Sequence, residues 1–204
     1  MEDNRQIERF LFALKMILKE RRPKLLEKKD DLKDASVLIP LIKEREEIKL
    51  LFTKRTMQVE NHKGQISFPG GIVEKADNTF LDTALRETEE EIGLKRDMIE
   101  ILGQIDDTLT LVSNYIIHPF VGYIPFRPSL KENPHEVEEI IFVPLKWLLD
   151  ERWKVTQIKW EGDYYNSIVF EYNNHIIWGA TARILKNLLD IIYENRLILK
   201  FVGT

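Results

Sequence analysis

Cysteine is absent from all 204 residues, and that gap excludes a disulfide framework, a thiolate nucleophile and any zinc site built on sulfur. Long apolar runs are missing too. The opening stretch MEDNRQIERFLFALKMILKERR has neither the uncharged core of a secretory leader nor the roughly 20 apolar residues a membrane span needs. The third absence is an excess of one charge: 30 Lys and Arg against 34 Asp and Glu leave a formal −4, unlike the basic footprint of a protein that grips nucleic acid. These absences lead us to expect a cytoplasmic chain with no nucleic-acid and no membrane partner. A small anionic substrate would need local help, from a metal or a few lysines and arginines. Hydrophobic residues make up 44% of the chain, enough to build the core of one large domain.

Periodicity organises what is present. Ile7, Phe10, Leu11, Leu14 and Ile17 or Leu18 recur at helical spacing, which predicts an amphipathic helix ending near Arg21-Arg22-Pro23. The lysine-rich stretch from Lys24 to Lys33 reads as a solvated linker. From Ala35 the pattern turns to short β-rich runs: ASVLIPLI and IKLLFTKR as an antiparallel pair, then MIEILGQI, NYIIHPFVGYIPF and EVEEIIFVPL, with a short helix around Lys146 to Leu149. A hairpin (WKVTQIKW, YYNSIVFEY) and a helix from about Ala180 to Tyr193 complete the chain. Between the strands, a helix beginning at Asn78 places Leu81, Ala84, Leu85, Thr88 and Ile92 on one face and ends at Gly93. Strands dispersed among helices predict an α/β layered domain with a mixed sheet. Residues 1–34, helix and charged linker, are expected to pack on a domain formed by 35–204.

The segment Arg86-Glu87-Thr88-Glu89-Glu90-Glu91-Ile92-Gly93-Leu94 carries the chemistry. Glu87, Glu90 and Glu91 stand at i, i+3 and i+4, so helical spacing groups three carboxylates. Such like charges repel by roughly 0.2–0.5 kcal/mol per pair, and acids in a helix's last turn oppose its dipole by a further ~0.3–1 kcal/mol each. A charged helix surface is the plain reading of such a run. An arrangement disfavoured on both counts is accounted for if a hard divalent cation neutralises it, because Mg²⁺ and Mn²⁺ prefer oxygen ligands shared with substrate phosphates.

Gly71, then Asp77 after five residues, then Arg86-Glu87-x-x-Glu90-Glu91-x-Gly93 resembles the signature of the Nudix hydrolase family. Three departures are an aspartate for the usual glutamate, eight residues instead of seven before Arg86, and Thr88 at an aliphatic position. The first two occur in the coenzyme A pyrophosphatase branch. The run from Leu51 to Arg55, then Gly64 and Phe68-Pro69-Gly70-Gly71, resembles the second motif of that branch, and the likeness extends to Ile184 through Asp106-Asp107, His118-Pro119, Asn133 to Val137 and Trp178 to Arg183. Glu60 is an acid where the branch often carries a base.

The resemblance implies a Nudix-type α/β/α sandwich with a mixed β-sheet, and Mg²⁺- or Mn²⁺-dependent hydrolysis of the pyrophosphate of coenzyme A or a derivative. It implies Glu87, Glu90, Glu91 and the Gly71 carbonyl as metal ligands, with Arg86 steadying the carboxylates. Arg55, Lys63 and Gly64 become the substrate-binding set, as cations bind phosphate by charge-assisted hydrogen bonds. The general base is a box glutamate or a later acid, for which Glu136 is the candidate. The tryptophans Trp147, Trp153, Trp160 and Trp178 read as packing residues. ADP-ribose or another nucleoside diphosphate derivative, and ligand binding without catalysis, remain alternatives. Monomer and homodimer are both open.

Overall fold

The computed structural model describes residues 2–29, 31–56, 64–110, 113–150, 153–160 and 162–197. In chain order the elements are α1 (Glu2–Glu20), β1 (Lys33–Glu44), β2 (Glu47–Arg55), β3 (Ile66–Ser67), β4 (Gly70–Ile72), α2 (Phe80–Ile92) and β5 (Glu100–Gln104). There follow β6 (Thr108–Leu109), β7 (Tyr115–Ile124), β8 (Val137–Pro144), α3 (Leu145–Leu149), β9 (Trp153–Trp160), β10 (Asp163–Tyr172), β11 (His175–Ile177) and α4 (Gly179–Glu194).

Strand β1 is the spine, with its residues from Leu38 to Ile42 buried. It lies parallel to β7 from Lys33 opposite Tyr115 to Ile42 opposite Ile124, and antiparallel to β2 at one end and β4 at the other. The main sheet runs β3-β2-β1-β7-β5, with β8 also on β2 and β6 also on β7. Alternate side chains of β1 therefore enter two different cores, as a period of two dictates. Leu38 meets Ala84 and Leu85 of α2, while Ile39 and Leu41 join the larger core with α1, α3 and α4. Helices thus cover both faces of a mixed sheet, the expected sandwich. A second sheet, β11-β10-β9, follows α3.

Helix α1 buries Ile7, Phe10, Leu11, Leu14 and Leu18 on that larger core. It approaches β5 closely at Gly103, where a Cβ would stand 2.7 Å from the Leu18 Cβ. The segment after α1 departs from the expected solvated linker. Its lysine side chains are exposed, but its backbone is held: Lys24 N–H donates to Asp106 Oδ1 at 2.8 Å, Leu26 N–H to Asp107 Oδ2 at 2.9 Å, and Lys24 C=O accepts from Asp107 N at 3.0 Å. Two adjacent aspartates supply the acceptors that unpaired backbone needs. Among the described residues no helix is long and apolar enough to cross a membrane.

The hairpin expected near the end gains a third strand, β11, and β1 begins at Lys33 instead of Ala35. Helix α2 starts at Phe80, two residues after the expected Asn78, because the Thr79 hydroxyl accepts the Asp82 N–H at 3.1 Å and takes the N-cap. At the other end Gly93 adopts φ 68° and its N–H bonds to Glu89 C=O, the left-handed cap that glycine accommodates. The packing reading of the tryptophans agrees with Trp147 and Trp153, both packed against the larger core.

Candidate active site

Ala84, Thr88 and Ile92 define the core-facing line of α2. At about 100° per residue, Glu91 falls about 20° beyond the Ala84 edge of that line, Glu87 about 40° beyond Glu91, and Glu90 about 60° further round. Burial follows those angles: the side chains of Glu91, Glu87 and Glu90 are 2%, 15% and 54% exposed. The three acids grouped by helical spacing therefore occupy two environments.

On the inner flank, Glu87, Glu91 and Glu136 bring one carboxylate oxygen each within 4.8 Å of one another. Glu136 arrives on the loop before β8, which is tied to the end of α2 by the Lys131 N–H on Ile92 C=O at 3.0 Å and the Asn133 N–H on Glu91 C=O at 2.8 Å. Those bonds satisfy carbonyls that a helix end leaves unpaired. Asn133 Nδ2 donates to Glu136 Oε1 at 3.2 Å and orients the carboxylate. The residue just past β2 joins the same loop, since Thr56 N–H donates to Glu136 C=O at 2.9 Å and the Thr56 hydroxyl to His135 C=O at 3.1 Å.

Arg55, at the end of β2, places a guanidinium nitrogen 3.6 Å from Glu91 Oε1. Its Nε and Glu91 Oε2 are buried without a hydrogen-bond partner among the described residues. Burial pushes the Glu91 carboxyl up to about 8 against the pull of Arg55, with the charges of Glu87 and Glu136 adding to the rise. Burial also raises Glu87, opposed by Arg86. Buried like charges with an orphaned oxygen are costly unless a cation joins them. Gly71 completes the cradle: a Cβ there would sit 2.4 Å from the Glu87 carboxylate, so any side chain would push that carboxylate from its place. Gly70 packs equally tightly on β1, where a Cβ would meet Ser36 O at 2.2 Å. The oxygen-rich, orphaned and crowded donor set fits a hard divalent cation.

The outer flank is built differently. Asp77 accepts from Arg86 Nε and NH2, each at 3.0 Å, from the Thr83 hydroxyl at 2.8 Å and from Glu74 N–H at 2.9 Å. The Arg86 guanidinium holds the Asp77 carboxyl well below the usual carboxylate range, and Arg86 is itself raised by Asp77. The remaining guanidinium hydrogens go to Glu87 Oε1 at 2.9 Å, Glu90 Oε2 at 3.1 Å and Ile72 C=O at 3.2 Å. Glu90 stands on this side, lining with Asp77, Asp82, Arg86 and Arg96 an open cavity of about 560 Å³.

The structure thus brings together Glu87, Glu91, Glu136, Gly71 and Arg55, and sets Glu90 apart with Arg86. Gly64 adopts φ 67° and its N–H bonds to Arg55 C=O at 3.2 Å, so what it visibly does is tie its own backbone to the end of β2. Lys63 and Glu60 lie outside the described residues. Two features escaped the sequence reading. Asp77 matched a motif position without a role, and its bond to Arg86 crosses an irregular loop. Arg55, expected on a phosphate, has Glu91 as its ion-pair partner among the described residues.

The family model for the NUDIX domain matches residues 32–161. The chain is 35% identical over 160 residues to the uncharacterized Nudix hydrolase NudL of Photorhabdus laumondii, covering 78% of this chain and 84% of that protein. It is 36% identical over 155 residues to the NudL of Yersinia pestis, covering 76% and 77%. Among solved structures, a MutT/nudix family protein from Enterococcus faecalis superposes with a TM-score of 0.54 at 16% identity, over 95% of this chain and 82% of that one, a likeness of fold.

Proposed function

The chain belongs to the Nudix hydrolase family, and from that premise we propose that it cleaves the pyrophosphate of coenzyme A or a derivative, giving adenosine 3′,5′-bisphosphate and 4′-phosphopantetheine or its acyl form. The observation that carries the hydrolytic reading is the inner flank of α2, where three carboxylates converge beside Arg55 with one oxygen of Glu91 unpartnered. Glu87, Glu91 and Glu136 would hold Mg²⁺ or Mn²⁺, with the Gly71 carbonyl alongside and Glu90 at the rim. When bound, such a cation supplies Lewis-acid polarisation of the phosphoryl oxygens.

The chain's own residues supply the rest. Arg55 donates to a non-bridging oxygen of the pyrophosphate, since a guanidinium beside the cluster is placed for a charge-assisted bond there. Glu136 offers its second oxygen, Oε2, to the proton of the attacking water while Asn133 holds Oε1. Water adds to one phosphorus, the bond from that phosphorus to the bridging oxygen breaks, and the water proton leaves to Glu136. Arg86 and Asp77 touch no substrate in this scheme and hold Glu87 and Glu90 in place.

Support for coenzyme A comes from the motif that runs from Leu51 through Arg55 and Gly64 to Gly71. With Arg55 assigned to the pyrophosphate, the 3′-phosphate falls to Lys63. The test is a panel of coenzyme A, its 3′-dephosphorylated form and ADP-ribose in Mg²⁺ and in Mn²⁺, with products weighed by mass spectrometry. Coenzyme A is expected to be cleaved most efficiently. A clear preference for ADP-ribose would overturn the substrate assignment and leave the hydrolytic one standing, whereas binding of all three without turnover would overturn both.

A further inference from the structure

His118, on β7, is only 4% exposed and meets a carboxylate at each ring nitrogen: Nδ1 lies 2.9 Å from Asp107 Oδ1 and Nε2 lies 3.3 Å from Asp34 Oδ1. Its ring lies flat against Phe80, with centroids 3.6 Å apart and planes within 6°. Asp107 is fully buried and also anchors the N-terminal segment through Leu26 N–H. The imidazole is therefore held from three sides, and two of its three partners root the same loop.

That loop is 73–79, the stretch between β4 and α2. At one root Asp34 C=O accepts Val73 N–H at 3.1 Å, and at the other Phe80 opens α2. Between the roots the chain makes one compact turn, with Asp77 N–H on Glu74 C=O at 3.1 Å and Glu74 N–H on Asp77 Oδ2 at 2.9 Å. The turn presents the Asp77 carboxylate to Arg86, and Arg86 reaches Glu87 and Glu90. Without strand or helix pairing of its own, such a turn stands where its ends are fixed.

We propose that His118 is a positioning residue for the hydrolytic centre: by tying Asp34 and backing Phe80 it fixes both roots of loop 73–79, and through Asp77 and Arg86 it sets where the Glu87 carboxylate stands. The proposal rests on the reading of Glu87 as part of a metal centre. His118 contacts Asp34, Asp107 and Phe80, so it acts through the loop and not on substrate.

Three substitutions separate its parts. His118→Gln carries an amide donor toward the Nε2 position and keeps the Asp34 link, His118→Asn reaches only the Nδ1 position and keeps Asp107, and His118→Phe keeps only the stack. Each is measured for Mn²⁺ affinity, for kcat and KM separately, and for amide exchange by segment. His118→Asn and His118→Phe are expected to weaken Mn²⁺ binding and lower kcat by about tenfold, the lower end of the usual cost of losing a supporting partner, with KM little changed. Exchange should quicken in 73–79 while β1 and β7 stay protected, and His118→Gln, which keeps the Asp34 link but not the ring behind Phe80, should stand closer to wild type than His118→Asn or His118→Phe. Phe80→Leu, which leaves the buried ring in place, should loosen the same segment. Unchanged Mn²⁺ affinity in Asn and Phe, or loosening spread over β1 and β7, would overturn the proposal. Glu91→Gln in the same assays tells the two readings apart: retained Mn²⁺ affinity there ends the metal reading and this proposal with it, while its loss beside unaffected His118 variants ends this proposal alone.

Discussion

One helix, α2, carries two acidic sites of opposite construction. On the outer flank Asp77 has four donors from Arg86, Thr83 and Glu74, and its carboxyl is depressed. On the inner flank Glu91 is 2% exposed, has an oxygen without a partner, and is pushed up to about 8. The first site is satisfied by its own chain, whereas the second carries a cost that the cation proposed for it would remove.

The largest effects should come from exchanging one acid for its neutral isostere on each flank. Glu91→Gln is expected to cut turnover by roughly a hundredfold or more, the scale on which loss of transition-state charge stabilisation is felt. Its metal-free stability should hold below about pH 8, where the wild-type carboxyl keeps its proton, and exceed that of the wild type above it, where Gln spares a crowded buried charge. Asp77→Asn should do the reverse in proportion, lowering stability by about 2 kcal/mol as Arg86 loses charge-assisted bonds. Chemical denaturation beside initial rates checks both. Equal stability losses in the two variants would erase the distinction between the flanks.

The pH dependence of stability separates the flanks next. Glu91 is raised from 4.5 to about 8 on folding, so between those values the native state holds more protons than the unfolded chain. Metal-free protein should therefore lose stability as pH climbs through that window, and saturating Mg²⁺ should cancel the loss. Asp77, depressed from 3.8, contributes stability above that value that disappears only as pH falls through its lower folded pKa. Melting temperatures from pH 5 to 9, in EDTA and in Mg²⁺, measure this. A flat EDTA profile would contradict it.

Adjacent glycines sharpen the contrast at smaller cost. A Cβ at Gly71 meets the far end of the Glu87 side chain, whereas one at Gly70 meets the Ser36 backbone oxygen. Gly71→Ala should fold normally yet bind Mn²⁺ about tenfold more weakly, in line with losses from disturbed metal sites. Gly70→Ala should lower stability, read by denaturation, before any effect on metal is resolved. The smallest expected effect is at the rim: Glu90→Gln should reduce kcat by about tenfold at most, well short of Glu91→Gln, because Glu90 is 54% exposed and paired with Arg86.

Much of this was legible in the residues. Ile7, Phe10, Leu11 and Leu14 announced α1 because a one-sided apolar stripe has few other uses, and Gly93 marked the end of α2 because its φ suits glycine. Strands of two or three residues, such as β3, β4 and β6, are too short to carry an alternation and were missed. Spacing alone grouped Glu87, Glu90 and Glu91, yet it could not say that Glu91 lies beside the core line and Glu90 outside it, which depends on what packs beneath Ala84 and Thr88. Glu136 was a candidate acid from its place before a strand, but its meeting with Glu87 and Glu91 depends on loop bonds to Glu91 and Ile92 carbonyls that no sequence pattern displays.

The central claim is that the inner flank, and not the outer one, is the metal centre. Anomalous scattering from crystals equilibrated with Mn²⁺ addresses it most directly. The predicted result is Mn²⁺ in contact with the carboxylates of Glu87, Glu91 and Glu136; Mn²⁺ found only on the outer flank, against Glu90 or Asp77, would contradict it.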